Sequence, residues 1–130
     1  PEGIVLDDWR QHYRDGENLA DMASDAFGVP RWPVDVPWLA VDPVRVARVV
    51  MHRSPRYHSR RFPWRDVVRK YGAEAVFVGS VEEHRQFVRR FGPVPYHPTP
   101  TVLDVAAVVA GAEVFVGNQS APRALAEALK

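Results

Sequence analysis

The sequence predicts an α/β fold, a parallel sheet with helices on both faces, and three observations carry that prediction. Short apolar runs alternate with amphipathic stretches from Val46 to the last residue. The runs are apolar at nearly every position instead of every second one, as in strands buried on both faces. Between each pair of runs stands a helical pattern with its own start and stop signals, as the crossover between parallel strands requires.

The elements follow in order. Residues 18–27 place Leu19, Met22, Ala23, Ala26 and Phe27 at helical spacing, and Gly28 ends the pattern. The proline-rich stretch "VPRWPVDVPWLAVDP" excludes a regular helix or a central strand. It reads as an extended segment that pins Trp32 and Trp38 against a core. "VARVVMH" (46–52) reads as a buried strand. "PWRDVVRKYG" reads as a helix with Pro63 in its first position and Gly72 at its close. "AVFVG" is a second strand, and "VEEHRQFVRRFG" a helix with Val81, Phe87, Val88 and Phe91 on one face. "VPYH" reads as a short strand, and "TVLDVAAVVAGA" as a helix capped by Thr99 or Thr101. "VFVG" is the last strand and "APRALAEALK" the last helix. Residues 1–42 are assigned to a leading helix and a linker, and 43–130 to the sheet domain. Both ends look cut, which leads us to expect a piece of a larger protein.

Composition narrows the function. The 46% hydrophobic and 25% charged residues are those of an ordinary globular domain. No apolar run is long enough to span a bilayer, so at most peripheral membrane contact is expected. With no cysteine there is no disulfide framework and no thiolate site. A reducing cytoplasm is the expected compartment, with the inner face of the membrane as its margin. A net charge of +1 gives no general attraction to nucleic acid. The distribution is less even: Arg53, Arg56, Arg60 and Arg61 crowd together with His52 and His58. A local basic cluster in a neutral chain suits one anionic ligand better than a long polyanion.

In open parallel sheets ligands bind beyond the carboxyl ends of the strands. That rule selects residues 52–62, 79–83, 97–101 and 117–122. In the first loop, "HRSPRYHSRRFPW", arginines can fork onto phosphate oxygens while Ser54, Tyr57, His58 and Ser59 add donors. A solvated basic loop would look the same. No carboxylate or cysteine falls at metal-ligand spacing from the two histidines, so no metal is expected there. In the second loop Gly79 lets a ligand approach the backbone. Glu83 either accepts from ribose hydroxyls or completes a Ser80-x-x-Glu83 capping box. In the fourth, Gly117, Asn118, Gln119 and Ser120 join a strand to a helix with Pro122 just inside it. Such a helix N-terminus binds phosphate without a metal; simple capping by Ser120 is the other reading.

Taken together, "VVMHRSPRYHSRRFPW", "VFVGSVEEH" and "VLDVAAVVAGAEVFVGNQSAPRALAEAL" resemble the C-terminal, donor-binding domain of glycosyltransferase family 9, which includes the ADP-heptose:lipopolysaccharide heptosyltransferases. The resemblance covers residues 46–130 and implies a Rossmann-like sheet, one half of a GT-B enzyme. It implies a nucleotide-diphosphate sugar (an ADP-, UDP- or GDP-sugar) as donor, a glycan or lipid-linked acceptor, and neither cofactor nor metal. Ser54 and Arg56 would contact phosphates and Glu83 the ribose. Gly79 and Gly117 would let the ligand approach, and Asn118, Gln119 and Ser120 would hold the diphosphate and sugar. The family's general base lies in its N-terminal domain, so no catalytic residue is assigned here. Two departures stand out: Gln119-Ser120-Ala121 replaces the usual Asp-Ser/Thr-Gly, and Arg56 stands for a lysine. The alternatives are a non-catalytic nucleotide- or phosphate-binding module and a flavodoxin-like interaction domain.

Overall fold

The computed structural model describes residues 19–33, 35–56 and 59–129. The chain divides into two compact units, Pro1–Val36 and Pro37–Lys130, so residues 37–42 of the expected linker belong with the sheet domain.

In the first unit, α1 (Leu19–Phe27) ends as its sequence requires. Gly28 takes a φ of +64°, Val29 N–H donates to Ser24 O (3.0 Å) and Gly28 N–H to Asp25 O (3.2 Å). This is a Schellman cap, in which a left-handed residue turns the chain back on the last carbonyls. Arg31 returns to the helix through Asp25, its Nε donating to Oδ1 at 2.9 Å.

The second unit contains β1 (Val49–His52), α2 (Trp64–Tyr71), a 3₁₀ turn (Gly72–Glu74), β2 (Ala75–Phe77), α3 (Val81–Phe91), α4 (Val102–Gly111), β3 (Val114–Gly117) and α5 (Ala121–Leu129). The three strands form one parallel sheet in the order β2-β1-β3. The segment expected as a strand around Tyr96 reaches β2 by a single parallel bridge, Phe77 to Tyr96. Its prolines explain the shortfall: Pro95 supplies a carbonyl to Phe77 N–H (2.7 Å) but has no N–H with which to extend a ladder.

Counting that segment, the spatial order is Tyr96, β2, β1, β3, so the chain steps outward twice and then crosses back beside β1. Right-handed crossovers in opposite directions put their helices on opposite faces. The core obeys this. Val49, Met51, Ala75 and Phe77 pack under Trp64 and Val68 of α2 and Phe87 of α3. Val50, Val76 and Val78 pack on the other face against Val108 and Val109 of α4, with Ala126 and Leu129 of α5 beside them. Such an order is compatible with a Rossmann-like sheet. Among the described residues no helix is long and apolar enough to cross a membrane.

Several local expectations need correction. Trp32 and Trp38 are 54% and 66% exposed, so they do not pin the proline-rich segment to a core. Backbone bonds hold it instead in the second unit, where Trp38 and Leu39 N–H both donate to Ala128 O (3.0 and 3.1 Å). That carbonyl, near the end of α5, would otherwise lack a partner. Pro63 caps α2 from outside, and Gly72 has a right-handed φ of −59° that leads into the 3₁₀ turn. Of the two candidate caps for α4, Thr101 is the one used: it accepts from Asp104 N–H, and the Asp104 carboxylate accepts from Thr101 N–H (2.8 Å).

The strand starts are tied at the opposite edge from the predicted loops. Arg48 donates from Nε to Glu113 (2.8 Å) and from Nη1 to Glu74 (3.0 Å), and Arg45 donates to Glu113 (2.9 Å). The hydrogen bond from Arg48 holds the Glu113 carboxyl below its ordinary value of 4.5. A carboxylate depressed in the folded state stabilises it fully above the unfolded pKa, and that contribution is lost as pH falls through the folded value. Thermal melts from pH 6 downward should therefore show wild type losing stability below about pH 4.5 faster than Glu113→Gln. Parallel pH profiles would refute the linkage. Because these groups are solvent-exposed, the difference should be small.

Candidate functional site

Because the strands are parallel, the loops after His52, Phe77 and Gly117 leave the same edge of the sheet, and the Tyr96 segment joins them. The reversal of strand order falls between β1 and β3, where His52 and Gly117 are register partners. A crevice opens at such a reversal because the two chain segments depart toward opposite faces.

Four hydrogen bonds close that crevice into one structure. Asn118 Oδ1 accepts from Ser54 N–H at 2.9 Å. Its Nδ2 donates to Ser54 Oγ (3.1 Å), to Ser54 O (3.4 Å) and closely to the Arg56 carbonyl. The carboxamide is thus committed on both ends to shaping the loop after β1, which makes Asn118 a positioning residue. Ser120 Oγ donates to Asn118 O at 2.9 Å, folding the turn on itself. Ser120 O accepts from Ala124 N–H at 3.1 Å and so opens α5. The amides of the first turn of α5 have no partner within the helix, and Pro122 has none to offer. Asn118, in the turn that leads into that helix, is the residue that bonds to the Ser54–Arg56 loop. Gln119 is exposed, as is Arg56, which enters the network through its carbonyl. Tyr57 and His58 lie outside the described residues.

Glycine at 117 has a packing reason: a Cβ there would come within 2.5 Å of the Phe115 ring. Gly79 has two reasons. Its φ is +132°, and a Cβ would meet His52 Nδ1 at 2.9 Å and Glu83 Oε2 at 3.0 Å. Glu83 completes the capping box of α3, accepting from Ser80 N–H (2.9 Å) and Ser80 Oγ (3.0 Å) while its own N–H donates to Ser80 Oγ (3.1 Å). Tyr96 Oη donates to Gly79 O at 3.0 Å, fixing the second loop against the third.

Ser54, Arg56, Gly117, Asn118 and Ser120 are therefore brought together at the reversal, with Gln119 exposed on the same turn. Gly79 and Glu83 form a neighbouring group at the end of β2. His52 joins the two, as a buried residue whose Nδ1 lies 2.9 Å from Val78 O and whose strand partner is Gly117. A histidine ending an otherwise apolar strand was the signal for it. Arg53, read in the sequence only as one member of the basic cluster, differs from the others in being 9% exposed.

No family model, curated protein or solved structure matches this chain. The likeness of its loops to glycosyltransferase family 9 stands on their residues alone.

Proposed function

We propose that residues 43–130 bind a nucleotide-diphosphate sugar as the donor half of a GT-B glycosyltransferase of heptosyltransferase-like type, transferring the sugar to a cell-surface glycan or similar acceptor. The observation that carries this reading is the Asn118–Ser54 tie at the strand-order reversal. It ties the turn that leads into α5 to a loop rich in arginine. Backbone N–H groups at a helix start favour an anion through both their hydrogen bonds and the helix dipole.

In the proposed reaction an acceptor hydroxyl attacks the anomeric carbon as the bond from that carbon to the diphosphate oxygen breaks. The electron pair leaves with the nucleoside diphosphate, and the hydroxyl proton passes to a base outside the residues assigned here. The α5 amides and the arginine loop would stabilise charge growing on the leaving diphosphate. Glu83, already engaged by Ser80, can still present its carboxylate to a ribose hydroxyl because each oxygen accepts more than one bond. A non-catalytic phosphate-binding module is the second reading; Gln119, where the resemblance calls for aspartate, favours it.

Calorimetric titration with ADP, UDP, GDP and their sugars, against the matching nucleosides, tests binding. Diphosphates should bind at least tenfold more tightly than nucleosides. Arg56→Ala should weaken diphosphate binding about tenfold, the value of one charge-assisted contact, and leave nucleoside binding unchanged. Equal losses would refute the phosphate role of Arg56, and no heat with any nucleotide would remove the glycosyltransferase reading.

A further inference from the structure

Among the described arginines, five exposed ones meet a carboxylate and the buried one does not. Arg31, Arg45, Arg48, Arg69 and Arg123 each meet a carboxylate within 4.0 Å, although their side chains are 51–80% exposed. Arg53 is only 9% exposed and has no carboxylate partner among the described residues. Its Nε is out of contact with solvent and finds no hydrogen-bond acceptor. The guanidinium lies 5.2 Å from the centre of the Phe91 ring, and that of Arg90 lies 5.4 Å from the same ring. Burial first, and the charge of Arg90 second, pull the Arg53 pKa down from its ordinary value.

A guanidinium does not shed its proton in a protein, so Arg53 cannot escape burial by becoming neutral. Contact with an aromatic face offsets only part of the lost hydration. Arg90 adds repulsion where a carboxylate would add attraction. The element missing from this arrangement is an anion. Arg53 directly follows β1, at the edge of the sheet where ligands enter, and its two Nη groups, which are not enclosed as Nε is, form a fork that fits two oxygens of one oxyanion. Phe91 fixes the plane of that fork.

We propose that Arg53, seated on Phe91 with Arg90 nearby, is the receptor for a phosphate-class oxyanion at the carboxyl end of β1. The proposal does not rest on the nucleotide reading, because it names a site on the α3 side of the sheet and the probe is phosphate itself. The phosphoryl group can be free or part of a larger ligand, and the two sources are separated by the probes.

The experiment measures melting temperature in sodium phosphate and in sodium chloride at equal ionic strength, for wild type and Arg53→Met. Wild type should melt about 5 °C or more higher in phosphate once the anion reaches some tenfold its Kd. Arg53→Met should show no phosphate response and, in chloride, should melt no lower than wild type because an unpaired buried charge has been removed. Should Arg53→Met not fold, Arg53→Lys keeps the charge and loses the fork, and its phosphate response should fall by at least half. An undiminished phosphate response in these variants, or none in wild type, overturns the proposal. Titrating ADP and adenosine into the same proteins decides the source. ADP affinity that falls with Arg53 places the phosphoryl group on the nucleotide, and unchanged ADP affinity makes it a separate anion. Failure of nucleotides to bind at all would remove the glycosyltransferase reading and leave the phosphate result standing.

Discussion

Gly111→Ala should cost the sheet domain about 3 kcal/mol or more, enough to lower its melting temperature by more than 10 °C. Helix propensity alone predicts the reverse, since alanine is favoured over glycine in a helix by roughly 1 kcal/mol. The clash decides the sign. A Cβ on Gly111, the last residue of α4, would lie 2.3 Å from Val44 O, 2.5 Å from Val44 C and 2.8 Å from Arg45 N. These are backbone atoms, and no rotamer change removes them. Nor is the segment free to retreat, because Val44 N–H donates to Ala107 O at 2.9 Å, one turn earlier on the same helix. The contact also matters for the site. Residues 44–48 lead into β1, so displacing them shifts the central strand whose carboxyl end carries Arg53 and Ser54. Urea denaturation gives the measurement: a midpoint equal to or above wild type would show that the close approach is not maintained in solution.

Much of the fold is legible because local chemistry and tertiary packing agree. The apolar runs at β1, β2 and β3 suit burial on two faces, and the Ser80-x-x-Glu83 box forms where its spacing puts it. Gly28 closes α1 for the reason its position suggests. Disagreement begins where a residue's fate depends on a distant partner. Trp32 and Trp38 have the composition of core residues, yet both stay more than half exposed. Thr99 and Thr101 are equally good caps by type, and the helix start selects Thr101 while Thr99 Oγ1 is left buried and unbonded. The run "VPYH" was readable as less than a strand, since prolines at 93, 95 and 98 deny it a ladder. The site divides in the same way. Its loops are legible from strand–helix alternation, because a parallel sheet gathers them on one edge. Which loops touch depends on strand order, and no local signal says that β3 returns beside β1. Within the basic loop, Arg53 reads like Arg56, Arg60 and Arg61; only the direction of its side chain over Phe91 separates it.

Replacing Asn118 tests that hidden contact most directly. Asn118→Ala removes both ends of a carboxamide that bridges residues 64 apart in sequence, Asn118 and Ser54. It leaves the Ser54 N–H without its acceptor and takes from the Arg56 carbonyl one of its two donors, the other being Ser54 Oγ at 3.3 Å. The site is half-buried, so water compensates in part, and a stability loss of about 1–3 kcal/mol is expected. Binding should suffer more than stability. Loosening the tie lets residues 54–56 drift away from the α5 amides, and an anion then meets two half-sites instead of one prearranged cradle. Diphosphate affinity should fall about tenfold or more, while nucleoside affinity changes little. Asn118→Asp sharpens the test. It retains an acceptor for Ser54 N–H but turns a carboxylate toward the Ser54 and Arg56 carbonyls, and adds negative charge beside the anion. Its diphosphate affinity should fall below that of Asn118→Ala. If Asn118 acts through Ser54, the losses in Asn118→Ala and Ser54→Ala should not add; the double variant should be no more than slightly weaker than the worse single one. Full additivity would assign the two residues independent roles and detach the β3 turn from the β1 loop. Unchanged diphosphate affinity in Asn118→Ala would move the anion away from the strand-order reversal altogether.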